Sequence, residues 1–81
     1  MMTPSEIERS ASAWRMLHKW GSVIGHDAVN CWRGFYYCLD GKVWYARSGN
    51  AMPVILGDYF EFMDQVRRGV VPEFQHTKKA T

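Results

Sequence analysis

The sequence predicts an α+β fold of two layers, in the order helix, β-hairpin, third strand, helix. Three observations lead there. Asp40-Gly41 separates two runs rich in aromatic and β-branched residues, GFYYCL and KVWYAR. Asp-Gly suits a two-residue type I′ turn, because both central positions need a positive φ. On either side of that hairpin, apolar residues recur at helical spacing. Each of those segments also opens on a capping residue with a glutamate three positions later, Thr3 with Glu6 and Asp58 with Glu61.

The first helix is predicted from Pro4 to Trp20. Pro4 suits the first helical position, where its missing N–H costs nothing. Ile7, Ala11, Trp14, Leu17 and His18 follow at helical spacing, the apolar sector is widened by Met16 and Trp20, and Glu6, Glu8, Arg9, Arg15 and Lys19 supply the solvated side. Gly21 is placed to end the helix. The segment GSVIGHDAVN that follows reads as a connector, with Val23 and Ile24 either tucked into the core or forming a short strand.

A two-residue turn sets the hairpin register. Leu39 faces Lys42, Cys38 faces Val43, Tyr37 faces Trp44, Tyr36 faces Tyr45, Phe35 faces Ala46 and Gly34 faces Arg47. One face then carries Phe35, Tyr37, Leu39, Trp44 and Ala46, and is the predicted core face. The other carries Trp32, Gly34, Tyr36, Cys38, Val43, Tyr45 and Arg47. Gly34 leaves a gap beside Arg47, the mark of a bulge or a close backbone approach.

A third strand is predicted over Met52–Leu56, at a sheet edge because Pro53 has no N–H to donate. The second helix starts after Asp58, with Tyr59, Phe62, Met63 and Val66 on its apolar side and Gly69 closing it. Residues 1–70 make the expected single domain. Residues 71–81 read as a C-terminal tail, tied down if Val70-Val71 or Phe74 packs. Both helices are expected on the core face. The alternative is one helix on each face, which would bury the rings of both.

Ten Lys and Arg against eight Asp and Glu give a formal net charge of +2, too weak a bias to announce a nucleic-acid binder. Charge interrupts every apolar stretch, and the opening MMTPSEIERS has no cationic segment leading into an apolar run. The expectation is a cytoplasmic protein that does not enter a membrane. Cys31 and Cys38 lie in one extended run, roughly 23 Å apart with side chains on opposite faces, so no disulfide between them is expected.

Catalytic, metal and cofactor motifs are not apparent. His18, His26 and His76 fall in a helix, a loop and the tail. The cysteines lack C-x-x-C spacing, and no glycine-rich phosphate loop occurs. His26-Asp27 is a lone adjacent pair and reads as solvated loop. The expectation is therefore no enzyme, no metal and no cofactor.

What stands out is aromatic excess on the second hairpin face. Trp32, Arg33, Tyr36, Tyr45 and Arg47 are the predicted partner-binding residues, since Trp, Tyr and Arg dominate binding hot spots. The expected function is a small protein-binding regulator or inhibitor, of the kind carried by phages and mobile elements, that occupies a surface of another protein. The alternative function is a nucleic-acid-binding module, stacking bases on the rings beside the arginines. A homodimer through the same face is a third possibility.

Overall fold

The computed structural model describes residues 3–29, 33–47 and 52–76. The elements follow as α1 (Pro4–Trp20), β1 (Ser22–Asp27), β2 (Gly34–Leu39), β3 (Lys42–Arg47), β4 (Val54–Asp58), α2 (Tyr59–Arg67) and β5 (Phe74–His76). The strands form one antiparallel sheet in the order β4-β3-β2-β1-β5. Strands β1 to β4 are a meander. The chain then crosses from one edge to the other through α2 and adds β5 beside β1, so the two edge strands run in the same direction.

The hairpin is the predicted one. Asp40 and Gly41 have φ of 54° and 71°, as a type I′ turn requires. All six predicted cross-strand pairs form, from Leu39↔Lys42 at the turn to Gly34↔Arg47 at the open end.

The helix starts also follow the sequence. Thr3 Oγ1 accepts from the Glu6 N–H at 3.3 Å, and its hydroxyl donates to Glu6 Oε1 at 3.2 Å. Asp58 Oδ2 accepts from the N–H groups of Phe60 at 3.0 Å and Glu61 at 3.3 Å. Gly69 ends α2 at φ 76°, the left-handed conformation that glycine adopts without strain. Gly21 ends α1 differently. Its φ is −84°, and what the site excludes is a side chain, because a Cβ there would lie 2.8 Å from the Leu17 carbonyl oxygen.

Each helix covers its own face of the sheet, the second of the two arrangements weighed above. On the α1 side, Leu17 packs with Tyr37 and Ala46, flanked by Trp14, Phe35, Leu39 and Trp44. These strand residues are the predicted core face. On the α2 side, Phe62 and Phe74 pack with Tyr36 and Val43, flanked by Ile24, Tyr45, Tyr59, Met63, Val66 and Val71. The face predicted to be partly open is thus a second core.

Three segments differ from the sequence reading. The connector is a full strand, β1, with a bulge at Ile24 between Val23 and Gly25 that keeps both flanking residues in register with β2. The third strand extends to Asp58, because Gly57 and Asp58 pair with Val43 and Lys42; a second bulge falls at Leu56. The tail contributes β5, anchored by buried Phe74, so residues 71–76 pack as part of the fold. Among the described residues no helix is long and apolar enough to cross a membrane.

Candidate functional site

The α2 face does not close completely. A cleft of about 410 Å³ opens between the helix and the sheet. The sheet contributes Asp27 from β1, Tyr36 from β2, Tyr45 from β3 and Leu56 from β4. Phe62 and Gln65 of α2, with Val71 and Glu73 of the segment leading into β5, form the other wall.

Asp27 sits at the end of β1 and is 8% exposed. A buried carboxylate needs hydrogen-bond donors, and the described residues supply at least two. Tyr45 Oη donates to Asp27 Oδ2 at 3.0 Å, and the Val29 N–H donates to Oδ1 at 2.8 Å. The first of these bonds reaches from β3 over β2 to β1, and Gly34 is what lets it pass. A Cβ at Gly34 would lie 2.5 Å from Tyr45 Oη and 2.9 Å from Asp27 Cβ. The gap expected beside Arg47 is therefore a close approach of side chains over bare backbone. Glu73 is held nearby by its own carbonyl, which accepts from the Ala28 N–H at 2.6 Å.

Tyr36 is 3% exposed. Its ring lies 5.0 Å from that of Tyr45, 5.6 Å from that of Phe62 and 5.0 Å from that of Phe74, centroid to centroid. Its hydroxyl carries no hydrogen bond among the described residues. Burial pushes its pKa up to about 12, helped by the negative charges of Asp27 and Glu73 and by Tyr45. The Tyr45 phenol is also raised, first by burial and then by its bond to Asp27, with Arg47 acting in the opposite direction. The hydroxyls therefore stay protonated in a pocket of negative potential.

The predicted partner-binding residues scatter. Tyr36 and Tyr45 are brought together, but Tyr36 is buried and Tyr45 half-buried, which corrects their expected place on an open patch. The cause is α2, which lies over this face with Phe62 against Tyr36. Arg33 and Arg47 are exposed. Trp32 and Cys31 lie outside the described residues, and Cys38 is a free, half-buried thiol. Sequence reading missed Asp27 and Glu73, one taken for solvated loop and the other for tail. The available signal was the spacing of Gly25 and Asp27, which puts both on the same side of a strand.

Among the described residues no cluster of three or more His, Cys, Asp or Glu is arranged to hold a metal ion. No protein-family model, curated protein or solved structure matches the chain at a significant level. What the fold and site define is a class: a five-stranded antiparallel sheet between two helices, with an aromatic and acidic cleft on one face.

Proposed function

We propose that the chain is a small non-enzymatic protein-binding module, a regulator or inhibitor that occupies a surface of another protein, and that β4 is the edge it presents. One observation supports this reading. Val54, Ile55 and Leu56, consecutive on an edge strand, are 52%, 49% and 45% exposed. Met52 just before them and Phe60 just after are exposed as well.

An edge strand offers unpaired backbone N–H and C=O groups, and proteins usually guard it with charge, brevity, proline or a bulge. Here Pro53 and the bulge at Leu56 limit indiscriminate pairing, but no charged side chain lies between Met52 and Leu56. Exposed aliphatic side chains above and below an open edge are what an added strand uses: backbone bonds for affinity, alternate side chains for specificity. A base-stacking platform has less support, because Tyr36 is buried and Asp27 and Glu73 stand beside the rings.

The test is a pull-down with and without nuclease, using the wild type and Ile55→Lys, followed by titration of whatever protein is captured. The expected result is a protein partner that survives nuclease and loses about 2 kcal/mol or more of binding with Ile55→Lys. Loss on nuclease treatment, with Arg47→Ala as the damaging variant, would replace this reading with the nucleic-acid one. Concentration-dependent dimerisation abolished by Ile55→Lys would assign the edge to a second copy.

A further inference from the structure

We infer that the cleft between α2 and the sheet is a binding site for an organic cation, an alkylammonium or guanidinium group. Its size, about 410 Å³, falls in the range of small-ligand sites. The chemistry of the lining selects the ligand. Asp27 on the sheet wall and Glu73 on the opposite wall line the cleft with two carboxylates, which repels an anion and leaves a neutral apolar guest facing charge. Tyr36, Tyr45 and Phe62 place three ring systems around the same space, and aromatic faces attract a cation that has shed part of its water.

Independently of the acidic pair, Tyr36 is 3% exposed and lines the cleft, and its hydroxyl has no hydrogen-bond partner among the described residues and is reached by solvent. A ligand N–H directed at Tyr36 Oη would find a free acceptor there, at the mouth of a ring-lined space. Gln65 adds an amide oxygen as a further acceptor. A hard divalent ion fits poorly, since it needs six or more oxygens and two carboxylates do not supply them. An ammonium or guanidinium needs several acceptors around an apolar sleeve, and Leu56 and Val71 provide the sleeve.

The site does not rest on the edge-strand reading, and the two fail separately: Ile55→Lys is expected to leave cation binding unchanged. The test is an NMR titration of the full chain at low salt with n-butylammonium, n-butylguanidinium and butyrate, following the rings of Tyr36, Tyr45 and Phe62. Both cations are expected to shift these signals saturably, and butyrate to leave them in place. Glu73→Gln should weaken cation binding roughly five- to tenfold, the loss of one charge partner at the rim. Glu73 is exposed, so that variant avoids the folding risk of replacing buried Asp27. Gln65→Glu, which adds a carboxylate, should tighten binding.

Two further arms separate the sources of the cation. Blocked lysine (N-acetyl-lysine methylamide) is compared with its uncharged Nε-acetylated form. If blocked lysine binds and the acetylated form does not, the source is a protein side chain. If butylammonium binds and blocked lysine does not, the source is a free small amine. Equal shifts from butyrate, no shift with either cation, or a Glu73→Gln variant of unchanged affinity would each overturn the site.

Discussion

The two faces of the sheet are built from alternate residues of the same strands, and they end differently. Toward α1 lie Tyr37, Ala46 and Leu17, all buried, in a cluster of apolar side chains. Toward α2 lie Tyr36, Val43, Phe62 and Phe74, equally buried, but this cluster borders an open cleft with two carboxylates and two phenols on its walls. Helix length does not explain the contrast, since α1 has 17 residues and α2 only 9. Side-chain chemistry does. Asp27 at the end of β1 has to be satisfied, Tyr45 turns toward it over Gly34, and the cluster cannot seal around polar groups that need partners. The α1 side has a cleft of similar size, about 390 Å³, but it lies at the end of the helix beside the hairpin turn, lined by Met16, Trp20, Cys38, Leu39 and Asp40, without phenols and with a single carboxylate; the contrast is one of chemistry at the centre of each face.

The strongest way to break that contrast is to truncate one core residue on each face. Leu17→Ala removes a side chain that is 0% exposed, in a closed cluster, and should cost about 2–5 kcal/mol. For a chain of this size, with roughly 4–12 kcal/mol in all, that is a large fraction. Phe62→Ala removes more atoms, yet Phe62 is 5% exposed and lines the cleft, so water can enter the vacated space. Measured by urea unfolding, the cost per removed carbon is expected to be higher at Leu17. A higher cost per carbon at Phe62 would show that the cleft is closed in solution.

Much of this was legible in the sequence. The hairpin register followed from Asp40-Gly41, because a two-residue turn leaves the pairing no freedom. The residues facing α1 followed from the same register, and both helix starts from Thr3 and Asp58. What stayed hidden depends on distant pairing. Ser22–Asp27 carries a glycine and a bulge, so its alternation is broken, and it becomes a strand by pairing with β2 and β5. Phe74 lies beyond Pro72 in a short run, and its partners Tyr36 and Phe62 are far away in sequence. The cleft assembles from those two segments, so Asp27 offered only its spacing from Gly25 and Glu73 offered no local signal, and the hairpin rings looked free when α2 in fact lies over them.

The phenols sharpen the contrast next. Tyr36 and Tyr37 are neighbours in β2 on opposite faces, and folding raises the pKa of both. For Tyr36 it rises from 10.0 to about 12. As pH climbs, the unfolded chain loses this proton first, so ionisation favours unfolding. The contribution to stability is full below pH 10 and is lost as pH rises to about 12. Wild type is therefore expected to lose more stability across that window than Tyr36→Phe. Tyr37 is raised by burial alone, whereas Tyr36 also senses Asp27 and Glu73. Glu73→Gln should lower the Tyr36 pKa and leave that of Tyr37 in place, as followed by ring NMR or tyrosinate absorbance. Equal movement of both would mean that the negative potential is not confined to the cleft.

The smallest expected effect concerns what holds α2 over its face. Asp58 closes β4 opposite Lys42 and, at the same residue, opens α2. Its carboxylate accepts from two helix N–H groups and carries negative charge to the positive end of the helix dipole. Thr3 does the same for α1 with a neutral hydroxyl and one N–H. Asp58→Ala should cost about 0.5–2 kcal/mol, and Thr3→Ala should fall lower in that range. Because α2 walls the cleft and α1 does not, only the first variant is expected to shift the ring signals of Tyr36 and Tyr45. Thermal unfolding gives the two costs and NMR gives the location. If Thr3→Ala moved the cleft rings as far as Asp58→Ala, the faces would be coupled through the sheet, and the division between a closing face and a binding face would not hold.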